Sequence, residues 1–73
     1  MNRIRRRAIE QVSDRLEALS AELETLADEE EEAMENIPES FEERRDEMEE
    51  YVDSMRNALE YISDAVDALA ELT

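Results

Sequence analysis

The 73-residue sequence contains no cysteine, no histidine, no glycine and no lysine, and it has a single proline. Without cysteine there is no disulfide, and zinc sites of the usual kind need cysteine or histidine ligands. A calcium loop of the EF-hand type needs a glycine at its sharp turn. We therefore expect no metal and no cofactor, and we expect stability to come from helix packing or self-association.

The side chains of common catalytic sites are also missing. Nucleophile-and-base arrangements use histidine or cysteine, and the chain has neither. Paired carboxylates can work as acid and base only in a desolvated cleft, which two slender helices do not form. The sequence predicts a protein without enzymatic activity and without catalytic residues.

Long apolar runs are absent, so we expect no membrane span and no secretory signal, and a cytoplasmic protein. The N-terminal segment holds a cluster of four arginines: Arg3, Arg5, Arg6 and Arg7. These lack aromatic neighbours, and residues 16–73 carry a net charge of −18, so we expect no direct binding of nucleic acid. We expect the cluster to pair instead, within one chain or between two copies, with acids near the other end of the chain, namely Asp64, Asp67 and Glu71.

The residues that are present favour helix almost everywhere, and their apolar members follow two helical repeats. In the first half, steps of three and four link Ile9, Val12, Leu16, Leu19, Leu23 and Leu26. In the second half, the same steps link Met48, Val52, Met55, Leu59, Ile62, Val66 and Leu69. A companion column consists of Tyr51, Ala58, Ala65 and Leu72. The pattern predicts two amphipathic helices that each bury an apolar seam.

Pro38, the only proline, predicts the point where the chain turns back. We predict one all-α domain over residues 1–73, with a first helix over 3–35, a turn over 36–39 and a second helix over 39–72. Asn36 with Glu39, or Ser40 with Glu43, has the spacing of a capping box. An antiparallel two-helix hairpin covers both seams better than the alternative, one long helix kinked at the proline.

A lone hairpin leaves part of each seam in water, because three apolar positions per heptad exceed what one neighbouring helix covers. We therefore expect a homodimer in which two hairpins form a four-helix bundle. The residues predicted to serve self-association are Leu16, Leu19, Leu23, Leu26, Val52, Met55, Leu59, Ile62, Val66 and Leu69.

Residues 28–50 hold thirteen acids and only two arginines. In a hairpin both arms of this tract run side by side over about 17 Å, which gives about one net charge per 1.5 Å. Duplex DNA carries about one charge per 1.7 Å. This density predicts either a solvated helical surface or an imitation of nucleic acid that occupies a basic protein surface, such as that of a nucleic-acid-binding protein.

For the second possibility, the predicted partner-binding residues are acids together with two apolar anchors. They are Glu29, Glu30, Glu31, Glu32, Met34, Glu35, Glu39, Phe41, Glu42, Glu43, Asp46, Glu47 and Glu50. The competing hypothesis is a structural or assembly protein that acts through its apolar seams, with the acids serving solubility.

The stretch from Asp28 to Ser40 resembles a family of small acidic helical proteins of bacteriophages, prophages and other bacterial mobile elements. Its Asn36-Ile37-Pro38-Glu39-Ser40 segment matches their turn between an acidic helix and a second amphipathic helix, although the family often has glutamine where Glu31 stands. The family also often has a glycine-containing break after the serine, where this chain continues with Phe41 and Glu42. The resemblance implies helical form and a mobile-element origin, and it supplies no catalytic residues. Small acidic phage proteins as a class often block host defence by imitating DNA, which favours an inhibitor.

Overall fold

The computed structural model describes all 73 residues and contains two α-helices, α1 (Arg3–Glu35) and α2 (Glu42–Ala70). The helices pack against each other in an antiparallel hairpin that measures 59 × 15 × 10 Å. There are no strands. The predicted all-α hairpin is confirmed, and the shape is an elongated slab with two broad faces.

The connection between the helices occupies residues 36–41, so α2 begins three residues after the predicted start. Asn36 ends α1 by donating its backbone N–H to the carbonyls of Glu32 and Ala33, both at 3.2 Å. The N–H of Phe41 then donates to the Pro38 carbonyl at 3.0 Å. This tight turn keeps Ser40 outside the helix.

Neither predicted capping box forms. Phe41 takes the N-cap position of α2 and makes no side-chain hydrogen bond there. The cap that does form is at the other helix, where the Asn2 side-chain oxygen accepts a hydrogen bond from the backbone N–H of Arg5 at 2.8 Å. The start of α2 is supported instead by Glu42 and Glu43, whose charges favour a helix N-terminus.

The seam on α2 is the predicted one, because its apolar positions from Met48 to Leu69 are buried or half-buried. On α1 only one predicted row faces α2, and its members are Ile9, Leu16 and Leu23. The second inward row consists of small residues: Ser13, Ser20 and Ala27.

The other predicted α1 row, Val12, Leu19 and Leu26, is exposed to solvent. The hairpin therefore covers only one row of the predicted α1 seam and leaves the other in water. The physical reason is packing volume: α2 presents bulky Met55, Ile62 and Leu69, and small side chains opposite them let the two backbones approach. Ser20 and Ile62 accordingly line the same groove.

The predicted pairing of the N-terminal arginine cluster within the hairpin is also wrong, since none of the four makes an ion pair. Glu17 lies level with Val66 and Asp67 along one groove. Arg7 is ten residues farther along α1, or about 15 Å. The cluster thus lies at the end of the slab where α1 is exposed on all sides, and residues 1–8 are all exposed.

Candidate protein-binding surfaces

The two broad faces of the hairpin have different chemistry. Two antiparallel helices are related by an approximate two-fold axis perpendicular to the plane that contains both helix axes. Corresponding heptad positions of the two helices therefore lie on the same side of that plane. One broad face, which we call the acidic face, holds the residues that directly follow the inward-facing Leu16, Glu30, Met55 and Ile62. The opposite broad face, which we call the apolar face, holds the residues that directly precede the inward-facing Ser20, Ala27, Val52 and Leu59.

The acidic face carries carboxylates from Glu10 to the tip on α1 and along α2, with one cation, Arg56, between them. At the N-terminal end of α1 its columns continue into Arg3 and Arg7. Its acids on α1 are Glu10, Asp14, Glu17, Glu24, Asp28, Glu31 and Glu35, and those on α2 are Asp46, Glu49, Asp53, Glu60 and Asp67. The field of such a face attracts cationic surfaces and speeds encounters with them.

Arg56 links the two helices across this face. One guanidinium nitrogen donates to Asp28 Oδ1 and to Glu31 Oε2, both at 2.8 Å. These hydrogen bonds raise the pKa of Arg56 above its ordinary value, because they favour the charged form. The positive charge of Arg56 partly neutralises the carboxylates of Asp28 and Glu31. Glu31 is therefore engaged within the hairpin.

The fold-back end, which we call the tip, is formed by residues 28–50. Most predicted partner-binding acids are exposed there, but Glu30 and Glu31 are half-buried. Met34 is also half-buried, and it shares a groove with Arg45 and Asp46. Of the two predicted anchors, only Phe41 is open to solvent, beside Ile37 and Pro38.

Tyr51 forms a second link to the tip acids. Its hydroxyl donates to Glu47 Oε1 at 2.9 Å. This hydrogen bond, together with the negative charges of Glu47, Glu50 and Glu30, raises the pKa of Tyr51 above its ordinary value. The contact holds the Glu47 carboxylate against the apolar face.

Comparisons with protein-family models, with curated proteins and with solved structures give no match.

The apolar face exposes large side chains in a regular row. On α1 it presents Val12, Leu19, Leu26 and Ala33, and on α2 and the turn after it Tyr51, Ala58, Ala65 and Leu72. Leu19 and Leu26 are each 55% exposed. An apolar row of this length on a small protein is a candidate interaction surface.

The predicted self-association residues therefore divide in two. Eight belong to the seam inside the hairpin, and only Leu19 and Leu26 lie on the apolar face. Sequence reasoning missed Val12 as a surface residue and missed Arg56 altogether. Whether a residue lies on the acidic or the apolar face depends on its position relative to the inward-facing rows. That face can therefore be predicted only when the inward-facing rows are known.

Two further features of the structure concern membranes and metals. Neither helix has a segment that is both long and apolar enough to cross a lipid bilayer. No three acids are grouped closely enough to hold a metal ion.

Proposed function

We propose that this protein is a non-enzymatic binding module whose acidic tip occupies a basic, nucleic-acid-binding surface of another protein. The observation that carries the proposal is the hairpin itself, which brings the acids of residues 28–35 beside those of residues 42–50. Arg44 and Arg45 are the only cations in this region. The resulting charge spacing is close to that of duplex DNA.

The acidic face extends this surface away from the tip. A partner with a long basic groove would therefore contact the tip first and the acidic face next, and Phe41 would supply an apolar contact inside the charged ring. By analogy with small acidic phage proteins, the partner would be a bacterial defence protein that acts on DNA, and the module would be its inhibitor in the host cytoplasm.

The test uses immobilised protein and an extract of bacterial cells. Captured partners should leave the column when the salt concentration rises, because the attraction is electrostatic. They should also leave when duplex DNA is added at constant salt, because DNA competes for the same surface. Retention in the presence of excess DNA would show that the captured surface is not one for nucleic acid.

A matched pair of variants locates the contact. Four exposed tip acids that make no ion pair are replaced by their amides in one variant: Glu32, Glu35, Asp46 and Glu50. The control replaces four exposed acids at the opposite end: Glu60, Asp64, Asp67 and Glu71. Both variants lose the same charge, but the control removes only Glu60 and Asp67 from the far end of the acidic face. The proposal therefore requires that the tip variant loses the partner and that the control is weakened much less.

A second candidate function is structural: assembly through apolar surfaces, with the acids serving solubility. The exposed apolar face favours it specifically. Under this reading the tip variant keeps all its interactions, whereas Leu59→Asp or Ile62→Asp destroys the seam and abolishes assembly.

A further inference from the structure

The hairpin buries very little on its own. Only Ala27 and Val52 are buried among the 73 residues. Small domains need a substantial core, a disulfide, a metal or a partner, and this chain has no cysteine. The apolar face carries five of the nine large apolar side chains that the hairpin leaves exposed, so further burial is expected there.

The large side chains of the apolar face are spaced symmetrically about a centre on each helix. On α1, Val12 and Leu26 are each seven residues from Leu19. On α2, Tyr51, Ala58, Ala65 and Leu72 run large, small, small, large. A surface with this symmetry complements a copy of itself turned end for end, as an isologous two-fold interface requires.

The distribution of charge along the chain favours the same end-for-end arrangement of two copies. The arginine cluster, residues 3–7, lies 12 to 16 residues before Leu19, and two tip acids outside the acidic face, Glu29 and Glu32, lie 10 and 13 residues after it. With two copies end for end, each unpaired arginine cluster lies beside the acidic tip of the other copy. With both tips at the same end, two regions of net charge −11 would repel each other.

We infer that the apolar face binds a second copy of this chain, with the tips at opposite ends and the two-fold axis passing close to Leu19. In this arrangement α1 packs against α1 of the second copy, so Leu19 meets Leu19 and Val12 meets Leu26. On the other side α2 packs against its counterpart, with Ala58 against Ala65 and Tyr51 against Leu72. The small alanines let the α2 helices approach closely.

The available area suits a stable dimer. A broad face of the slab measures 59 by 15 Å, and a standard interface takes about 800 Å² from each partner. The two acidic faces point outward in this dimer and stay open. The second copy reaches the tip only on the side of Glu29 and Glu32, and its contacts are tested without any other partner. The dimer and the proposed function can therefore fail separately.

Disulfide trapping tests the arrangement, because the natural chain has no cysteine. Two cysteines cross-link only when their Cα atoms lie within about 7 Å. We expect Leu19→Cys to cross-link with itself. We expect Val12→Cys and Leu26→Cys each to stay uncross-linked alone, because identical positions lie about 21 Å apart along α1. A mixture of these two variants should cross-link to each other.

Glu24→Cys is the matched control, since it lies on the acidic face of the same helix and should not cross-link. All four positions are exposed in the hairpin, and circular dichroism checks that the helices are retained. Sedimentation of the unmodified protein at about 50 µM should give twice the 8.5 kDa chain mass. A mass of one chain, or a dimer that lacks the mixed Val12–Leu26 cross-link, would overturn the inference.

Discussion

Arg56 is the one residue that joins the two helices by ion pairs, through Asp28 and Glu31. All three side chains are substantially exposed, so water and salt screen their attraction. We expect Arg56→Gln to lower the thermal unfolding midpoint slightly at low salt, with the difference disappearing at about 1 M NaCl. Arg44→Gln, which removes the same charge from a residue without an ion pair, is the control. An equal loss in both variants would mean that the Arg56 bridge contributes nothing of its own.

Tyr51 reports on the charge of the tip. Its hydrogen bond to Glu47 raises its pKa, so the folded state favours the neutral phenol. The stabilisation that this contact provides is complete below the unfolded pKa of about 10 and is lost as the pH rises through the higher folded pKa. In a Tyr61→Phe background, absorbance titration should show that Glu47→Gln lowers the pKa of Tyr51. An unchanged titration curve would mean that the hydrogen bond does not form in solution.

At the scale of the helices, the small inward row of α1 sets how closely α1 and α2 approach. Ala27 is 0% exposed, whereas Ala21 on the same helix is exposed. We expect Ala27→Leu to destabilise the hairpin by about 1–3 kcal/mol, because the added atoms overpack the seam. Ala21→Leu should change the free energy of unfolding by less than about 0.5 kcal/mol. Chemical denaturation of the two variants measures the difference, and equal stabilities would show that the row does not face α2.

The hairpin could be predicted from the sequence because its determinants are local. Two apolar repeats on either side of Pro38 are sufficient for two helices and a reversal. The rotation of α1 about its own axis could not be predicted. Two rows could pack against α2 beside Leu16 and Leu23: the large row of Leu19 and Leu26, or the small row of Ser20 and Ala27. Which row faces inward depends on the volumes opposite it, and these belong to a helix about 40 residues away in the chain.

The same limit applied to the candidate surfaces. The acidic tip is contiguous in sequence, so the predicted acids are found there. The acidic face is assembled from residues spaced along both helices, from Glu10 to Asp67, and it emerges only when the inward rows are known. Arg56 was missed for that reason, since nothing in its neighbourhood in sequence indicates a bridge to residues 28 and 31.

At the scale of the whole molecule, the net charge of −15 opposes compaction. Screening this repulsion should stabilise the fold, so the unfolding midpoint should rise as NaCl increases from about 0.05 to 0.5 M. Calorimetry measures the midpoint, and repetition at several protein concentrations separates the effect of salt on folding from its effect on association. A falling midpoint would mean that attractive ion pairs outweigh the repulsion.

The arginine cluster allows a test in which general repulsion and specific pairing predict opposite changes in the dissociation constant of the dimer. Glu29→Gln with Glu32→Gln lowers the magnitude of the net charge by two, so overall repulsion alone would strengthen the dimer. If Arg5 and Arg6 of the second copy lie beside these acids, the same variant weakens the dimer, by about 2- to 10-fold in dissociation constant for exposed pairs. Glu60→Gln with Asp64→Asn removes as much charge from acids away from the arginines and should strengthen the dimer. In an Arg5→Gln, Arg6→Gln background the Glu29 and Glu32 changes should lose their weakening effect, because their partners are already gone. Sedimentation equilibrium of the variants measures each constant, and two acid variants that shift it in the same direction would leave only overall repulsion.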